Sequence, residues 1–246
     1  MENLTYKKYL EYKNEEHWFE IGRKKIFETL FENFLSGSSL NILDVGCGAG
    51  EIMESLRKYG TVKGLEKYAP YAEISRKKGF DVRDARLEDL PYKDEKFNLI
   101  TFFDVLEHLE DDVASLELTN RMLLPGGIVI ISVPAFQILW GSSDIAGEHK
   151  RRYRKKDLKK KLEASGFKIL KLSYFNAFLA PLVFPFLLLK RILTINNLIK
   201  TKPNHEMFRN PFINRICAKI LFKEAECLAK RDFWFGMSLL AVAQKK

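Results

Sequence analysis

Short apolar segments alternate with helix-like segments between residues 41 and 133, and this alternation constrains the fold more than any other feature of the chain. Strand-like runs at 41–45, 62–65, 80–84, 97–103 and 128–133 are separated by stretches with apolar residues at helical spacing. Strands joined by helices form βαβ units, in which parallel strands are buried on both faces. The sequence therefore predicts an α/β fold in which a mostly parallel sheet carries helices on both faces.

Further segments extend this core in both directions. Residues 3–35 have the apolar spacing of one or two amphipathic helices, and residues 167–173 and 233–243 have the composition of a sixth and a seventh strand. The stretch between those two strands is longer than a minimal α/β domain needs, which indicates an insertion. We therefore expect three parts: an N-terminal helical cap (1–36), a sheet domain (37–174 and 231–246) and a helical insertion (175–230).

Charge is distributed unevenly along the chain. Residues 1–148 contain 18 Lys and Arg against 26 Asp and Glu, a net of −8, whereas residues 149–246 contain 23 against 6, a net of +17. This asymmetry points to an anionic partner for the second part: nucleic acid, a phosphorylated substrate or a membrane surface. A hydrophobic content of 46% excludes a disordered tail, a collagen or a coiled-coil rod.

The cysteines and the first residues indicate a reducing compartment. Cys47, Cys217 and Cys227 form no CxxC pair and no Cys/His ligand spacing, so we expect reduced thiols and no metal site. The first nineteen residues are charged and lack the apolar core of a signal peptide. These features predict a cytoplasmic protein.

A glycine-rich turn between the first strand and the next helix carries the strongest chemical signal. Its sequence, Asn-Ile-Leu-Asp-Val-Gly-Cys-Gly-Ala-Gly-Glu (41–51), lets the backbone approach a ligand closely. The G-x-G-x-G spacing differs from that of dinucleotide folds, and Asp44 would repel a pyrophosphate but suits a cationic amine. Glu66 ends the second strand, where a carboxylate can accept ribose hydroxyls, and Asp84 ends the third, near an adenine amino group. An adenosine joined to an amino-acid moiety fits all three acids.

This pattern resembles the class I S-adenosylmethionine-dependent methyltransferases over residues 40–134. The segments that carry the resemblance are Leu-Asp-Val-Gly-Cys-Gly-Ala-Gly (43–50), Glu66, Arg-Asp-Ala-Arg-Leu-Glu-Asp-Leu-Pro (83–91), the strand and loop at 97–109, and the turn and strand at 124–134. The resemblance implies a Rossmann-like, seven-stranded sheet, with S-adenosylmethionine as cofactor and S-adenosylhomocysteine as product. It also implies cofactor contacts from Asp44, Gly46, Cys47, Gly48, Gly50, Glu66, Lys67, Asp84, Ala85, Arg86, Phe103, Asp104 and His108.

The loop after the fifth strand is expected to cover the acceptor, because ligands of open α/β sheets bind at the carboxyl ends of the strands. It holds His149 and Asp144 as candidate bases and Arg151 and Arg152 as an anion clamp. Tyr153 is a further catalytic candidate and Trp140 a further substrate contact. The alternative is a solvated basic start of a helix with Tyr153 packed beneath it.

A second resemblance concerns one segment before the first strand and another after the fifth strand. Glu-His-Trp-Phe (16–19) with Arg23, and His-x-Arg-Arg-Tyr (149–153), are similar to segments of a bacterial and archaeal subgroup grouped with polysaccharide and glycolipid assembly. That resemblance implies that the N-terminal helix caps the cofactor, with His17, Trp18 and Arg23 as substrate contacts. It implies no particular acceptor.

The apolar run at 175–189 interrupts the basic part of the chain. Fifteen residues of helix span about 22 Å, less than the roughly 30 Å of a bilayer core, and Pro181 and Pro185 break the run. Three interpretations remain: a lid over an apolar acceptor pocket, a segment in the membrane interface, or an ordinary packed insertion.

The sequence thus predicts methyl transfer to a small-molecule or lipid-linked acceptor, possibly anionic, at oxygen. Contact of residues 175–230 with the inner face of a membrane is part of this hypothesis. RNA methylation is one alternative. The basic second part of the chain favours it, but less strongly once the apolar run is considered. A non-catalytic partner protein that binds the cofactor or a membrane is another. The oligomeric state is not predicted.

Overall fold

A computed structural model describes residues 17–37, 39–89, 91–195 and 210–246. Its centre is a seven-stranded sheet in the order β3-β2-β1-β4-β5-β7-β6, and only β7 runs antiparallel to its neighbours within it. This arrangement confirms the predicted mostly parallel α/β sheet. The strands are β1 Leu40–Val45, β2 Gly60–Leu65, β3 Asp81–Arg83, β4 Phe97–Phe103, β5 Leu123–Pro134, β6 Phe167–Phe175 and β7 Ser238–Lys245.

Helices connect the strands and cover both faces of the sheet. Within the described residues they are α1 Trp18–Phe34, α2 Glu51–Leu56, α3 Ala69–Lys77, α4 Asp112–Met122, α5 Ser142–Ala146, α6 Lys155–Ala164, α7 Ala180–Ile195 and α8 Pro211–Lys230. Short 3₁₀ turns at 57–59, 87–89, 106–108 and 137–139 complete the connections. The five-residue helix α5 and the turns at 87–89, 106–108 and 137–139 were not predicted, because segments this short carry no clear apolar period.

The central strands are apolar because each of them contributes side chains to two hydrophobic cores, one on each face of the sheet. On β1, the side chain of Ile42 packs with Phe27 and Phe31 of α1, and the side chain of Leu43 packs with Leu116 of α4 on the opposite face. Successive side chains of a strand point to opposite faces, so a strand covered on both faces is a continuous apolar run. The helices on the two faces therefore explain the sequence pattern from which the sheet was predicted.

Two strands begin five residues away from their predicted starts, whereas the bounds of the others agree within two residues. β5 begins at Leu123 rather than at 128, because the Pro-Gly-Gly turn at 125–127 lies within the strand, and a register shift near Phe97 of β4 accommodates it. β7 begins at Ser238 rather than at 233. Instead, Phe233 makes one isolated bridge with Tyr174 of β6 before the chain turns into β7.

The N-terminal helix α1 packs against α8 of the predicted insertion. Gly22 of α1 is buried, and a Cβ at this position would lie 2.2 Å from Cδ1 of Leu221 on α8. Trp18 packs with Leu179 and the same Leu221. The three-part division into cap, sheet domain and insertion stays a prediction, and residues 1–16 and 196–209 of its cap and insertion lie outside the described residues.

The helix α7 carries most of the apolar run singled out from the sequence. It includes Pro185 in its interior and leaves Leu182, Phe186 and Leu189 exposed to solvent. Throughout the described ranges, no helix is both long enough and apolar enough to cross a membrane.

The contact between Gly22 and Leu221 gives a test of the α1–α8 packing. Alanine normally stabilises a helix interior by about 0.5–1 kcal/mol relative to glycine, but here the methyl group has no space, and overpacking costs about 1–3 kcal/mol. We expect Gly22→Ala to lower the free energy of unfolding, measured by urea denaturation. Asn33→Ala, at an exposed position of the same helix, is the control. In a Leu221→Ala background the cost of Gly22→Ala should shrink; equal costs in both backgrounds would contradict this packing.

Candidate active site

The glycine-rich loop lies between β1 and α2 and is fixed to the end of β2. The backbone N–H groups of Gly46 and Cys47 both donate to the carbonyl oxygen of Leu65, at 2.7 and 3.0 Å. Gly46 has a φ of +71°, and a Cβ there would lie 2.3 Å from a methyl group of Val105. At Gly48, with a φ of +55°, an added Cβ would meet no atom of the protein within 4 Å. The loop therefore packs against the chain after β4 on one side and is open on the other.

Two buried carboxylates flank this loop. Asp44 is 2% exposed and accepts a hydrogen bond of 2.6 Å from the Thr101 hydroxyl. Burial raises the pKa of Asp44 to about 7, and no described cation forms an ion pair with it. Burial also raises the pKa of Glu66, whose carboxylate accepts from the N–H groups of Gly48 and Tyr68 at 2.9 and 2.8 Å.

These carboxylates and the open glycine loop fit S-adenosylmethionine. Its cationic amino-acid group would offset the cost of burying the charge of Asp44, because an opposite charge nearby favours the ionised carboxylate. Its ribose hydroxyls can donate to Glu66, whose carboxylate already accepts from the backbone N–H groups of Gly48 and Tyr68. Gly48 leaves the space for such a ligand to approach the backbone.

The remaining predicted cofactor residues of β2 and β3 lie at the same end of the sheet. Lys67 lies two residues after the end of β2, and Asp84, Ala85 and Arg86 directly follow β3. Asp84 is close enough to Glu66 to affect its pKa. Cys47 is buried, and a Cβ on Gly64 of β2 would lie 2.6 Å from its sulfur. Burial raises the pKa of the Cys47 thiol far above the physiological range, so this thiol fills space in the loop and is not a nucleophile.

The end of β4 is joined to the N-terminal helix α1. The Phe103 ring stacks on Phe27 of α1 with a centroid distance of 4.0 Å. Asp104, with a left-handed φ of +57°, forms an ion pair with Arg23 of α1 and accepts a hydrogen bond from Ser132 of β5 at 3.0 Å. The structure thus brings Arg23, Phe103 and Asp104 together beside the glycine loop.

The loops after β4 and β5 bring three titratable side chains together. Glu107 and His108 lie in the 3₁₀ turn after β4, and the N–H of Lys150 donates to the Glu107 carbonyl at 2.9 Å. This hydrogen bond places the His149 ring against the His108 ring, with centroids 4.6 Å apart and planes at 87°. Potential ligand atoms of Glu107, His108 and His149 all lie within 4.8 Å of one another.

Burial controls the protonation of this cluster. Glu107 is fully buried, and burial, with the charge of Asp104, raises its pKa well above the usual range. Burial and the neighbouring His149 lower the pKa of His108 to about 4, so its imidazole is neutral at pH 7. Glu107 was not predicted from the sequence, which gives no signal that an acid beside His108 is buried.

Asp144 and Arg152 form a buried ion pair that holds His149. The Arg152 Nε and Nη2 atoms lie 2.7 and 2.9 Å from the two Asp144 oxygens, and His149 Nδ1 lies 3.0 Å from Asp144 Oδ1. Although burial opposes it, these hydrogen bonds from His149 and Arg152 lower the pKa of Asp144 to about 2. Asp144 is therefore a weak base that orients His149, and we do not propose it as the catalytic base.

Two more residues of this loop have partners within the protein. The Tyr153 hydroxyl is buried and donates to Asp112 at 2.7 Å, and burial together with this hydrogen bond raises its pKa. Arg151 donates to the carbonyl oxygens of Leu109 and Glu110 and lies 3.2 Å from Asp112. The predicted alternative, with Tyr153 packed beneath a basic segment, matches these contacts better than a catalytic tyrosine and an arginine clamp.

The predicted aromatic substrate contacts are separated. Trp18 packs with Leu179 and Leu221, and its neighbour His17 accepts from the N–H of Phe19 at 3.4 Å as the N-cap of α1. Trp140 is half-buried between the 137–139 turn and α5. Of these three, only Trp140 lies in the loop that holds His149.

Comparison with known proteins agrees with this geometry. Residues 16–172, more than half of the chain, match the sequence profile of a methyltransferase domain family. Mitochondrial ubiquinone biosynthesis O-methyltransferase of Candida albicans is 30% identical over 48% of this chain and 40% of its own length. The Bartonella tribocorum protein of the same function name is 28% identical over 58% of this chain and 59% of its own length. The chain thus spans about half the length of these curated relatives.

A solved structure extends the likeness of the fold to the whole chain. The SAM-dependent methyltransferase of Thermotoga maritima, described as a possible histamine N-methyltransferase, superposes with a TM-score of 0.60. The alignment covers 99% of both chains at 16% identity, so it supports the fold alone. The sheet order, the glycine loop with its two acids and the profile match agree: the chain belongs to the methyltransferase-domain family of class I S-adenosylmethionine-dependent enzymes.

Proposed function

We propose that this protein transfers a methyl group from S-adenosylmethionine to an oxygen of a small-molecule acceptor. The observation that supports this proposal is the cluster of Glu107, His108 and His149. The cluster lies beside the glycine loop, because Val105, two residues before Glu107, contacts that loop directly. Hydroxyl acceptors require a group that polarises or removes a proton, and this cluster supplies such groups. The curated relatives that the chain matches are named O-methyltransferases, which supports oxygen as the acceptor atom.

Some residues of the chain are assigned to cofactor binding and others to the acceptor. When bound, S-adenosylmethionine supplies an electrophilic methyl group on a sulfonium. Asp44 and Glu66 hold the cofactor's polar groups, and Arg23, through Asp104, keeps α1 over the end of β4. Because Asp144 holds His149 Nδ1 at 3.0 Å, Nε2 is the His149 nitrogen left to polarise the acceptor hydroxyl. With the methyl group supplied by the bound cofactor, the proton of the acceptor hydroxyl would pass to the polarising group of this cluster.

The arrangement of the basic residues weakens the alternative of RNA methylation. Arg152 is paired with Asp144, and both Arg151 and Lys161 are paired with Asp112. These cations of the basic second part of the chain therefore stabilise the fold and present less charge to a phosphate backbone than the sequence suggests. Small molecules are accordingly the preferred acceptor class.

Asp44→Asn tests the cofactor side of the proposal. The folded pKa of about 7 exceeds the roughly 3.9 of an unfolded aspartate, so the ionised side chain destabilises the folded protein above pH 7. This cost diminishes as the pH falls from 7 toward 4. We expect the variant without ligand to melt at a higher temperature than wild type at pH 8, with a smaller difference at pH 5.

The same variant should bind the cofactor more weakly. We expect the affinity for S-adenosylhomocysteine, measured by calorimetry at pH 8, to fall about tenfold or more, because a charge-assisted hydrogen bond is lost. Wild-type affinity should decline as the pH falls below 7, and the variant should show no such decline. Equal affinities of the two proteins would contradict the assignment of Asp44.

His149→Gln tests the acceptor side. A positioned acid–base group contributes about 10²–10⁴-fold to the rate, so methylation of a hydroxyl acceptor should fall by that range while binding of S-adenosylhomocysteine stays unchanged. The assay is mass-spectrometric detection of methylated products from a panel of phenols and alcohols. Total RNA, incubated in parallel with tritiated cofactor, is the competing acceptor. Incorporation into RNA alone would overturn the small-molecule proposal.

We further propose that the acceptor is lipid-linked and that α7 contacts the membrane surface. Leu182, Phe186 and Leu189 are spaced as one face of a helix, and their exposed fractions are 76%, 44% and 55%. Contiguous exposed apolar residues of this size are typical of an interaction surface. Arg191 donates to the main chain of Gln137. The proposed membrane contact therefore rests on the apolar side chains and not on this cation.

The triple variant Leu182→Ser, Phe186→Ser and Leu189→Ser tests this contact. Each apolar side chain that leaves water contributes about 1.5–3 kcal/mol, so co-sedimentation with phosphatidylglycerol-containing vesicles should fall at least tenfold. Leu170→Ser, which alters an exposed apolar residue of β6, is the matched control. Absence of wild-type sedimentation, or equal sedimentation of the triple variant, would remove the membrane proposal and leave methyl transfer unaffected.

A further inference from the structure

Glu107 presents an uncompensated polar group in the interior of the protein. Its side chain has 0% exposure, and among the described residues neither carboxylate oxygen has a hydrogen-bond partner of ordinary geometry. Leaving a buried carboxylate without partners costs free energy. A ligand that this carboxylate can bind would remove that cost.

The neighbours of Glu107 are metal-ligating side chains. The potential ligand atoms of Glu107, His108 and His149 lie within 4.8 Å of one another. In a tetrahedral site with metal–ligand bonds of about 2.0–2.2 Å, ligand atoms lie roughly 3.4 Å apart. The present separations of the three groups exceed this value by at most about 1.4 Å.

His149 already has the outer hydrogen bond that metal-ligating histidines need. His149 Nδ1 lies 3.0 Å from Asp144 Oδ1, which leaves Nε2 for the cluster. A carboxylate or carbonyl bound to the second nitrogen fixes the ring orientation and the tautomer of a ligating histidine. Asp144 is itself fixed by its two hydrogen bonds with Arg152.

We propose that Glu107, His108 and His149 bind one divalent transition-metal ion, with Asp144 orienting His149. This proposal departs from the sequence analysis, which predicted no metal site because the usual Cys and His spacings are absent. Two imidazoles with one carboxylate favour ions such as Zn²⁺, Co²⁺, Fe²⁺ or Mn²⁺ over Mg²⁺ and Ca²⁺, which prefer oxygen ligands. With three protein ligands, the ion keeps at least one open position.

The open position gives the ion a role in methyl transfer, and this part rests on the proposed function. The cluster adjoins the glycine loop through Val105, so an acceptor hydroxyl can occupy the open position next to the cofactor. A hydroxyl bound to a divalent ion loses its proton more readily, as bound water does. The ion would then take over from His149 the polarisation of the acceptor oxygen, and His149 would act as a ligand of the ion instead of as the polarising group.

The test is metal binding by the purified full chain, measured without cofactor or acceptor. After dialysis against a chelator, Co²⁺ is titrated in and followed by its visible absorption, with Zn²⁺ and Mg²⁺ titrated in parallel by calorimetry. We expect one Co²⁺ or Zn²⁺ per chain, with Mg²⁺ binding at least a hundredfold more weakly. Glu107→Gln and His149→Gln should each weaken Co²⁺ binding at least tenfold and change its absorption spectrum.

Glu110→Gln is the matched control, because it removes an exposed acid from the same loop. Circular dichroism verifies that each variant is folded, and if Glu107→Gln fails to fold, the partly exposed His149→Gln decides alone. No stoichiometric Co²⁺ or Zn²⁺ binding by wild type, or wild-type affinity in His149→Gln, would overturn the site. Because no methyl transfer is measured, loss of the metal site leaves the proposed function standing, and inactivity toward acceptors leaves the metal site standing.

Discussion

The burial of the central strands on both faces is the constraint on which the rest of the molecule depends. Side chains such as Ile42 and Leu43 alternate between two apolar cores, so the strands themselves offer no place for polar chemistry. Polar residues are consequently confined to the ends of the strands. Because β1, β2, β3, β4 and β5 are parallel, their carboxyl ends form one edge of the sheet, where Asp44, Glu66 and the residues after β4 meet. The location of the site is thus a consequence of how the core is filled.

At this edge the protein buries charge in two different ways. Asp144 is compensated within the protein by Arg152 and His149, and its pKa lies below the ordinary value. Among the residues that the structure describes, neither Asp44 nor Glu107 forms an ion pair, and burial raises the pKa of both. Compensated carboxylates maintain the structure of a site, whereas uncompensated ones are frequent where a ligand binds. This difference separates the orienting role of Asp144 from the proposed binding roles of the other two.

Sequence alone predicted the parts of the fold that follow from local periodicity and composition. The apolar strand over 97–103 was predicted with its observed bounds, and the glycine loop with Asp44 was placed at the end of β1. The bounds of β5 and β7 were less accurate, because their pairing depends on strands far away in the chain. A turn at 125–127 can interrupt a strand or be accommodated by a bulge in its neighbour, and sequence periodicity does not distinguish the two.

The site was predictable only to the level of residue types. His149, Asp144 and Arg152 were correctly expected in one loop, but their pairing could not be read from the sequence, because it depends on the fold of that loop. The clustering of Glu107 with His149 depends on the hydrogen bond between the Lys150 N–H and the Glu107 carbonyl. Contacts of this kind join segments that are distant in sequence and leave no periodic signal.

The position of β7 in the sheet has a consequence for how the protein folds. β7 lies between β5 and β6, yet α7 and α8 separate it from β6 along the chain. During synthesis, β6 therefore has no neighbouring strand until residues 238–245 have left the ribosome. Pairings between distant segments slow folding, since loop closure must precede the contacts that stabilise it. We expect the sheet from β1 to β5 to form first and the edge that carries β6 to join in a late, slower step.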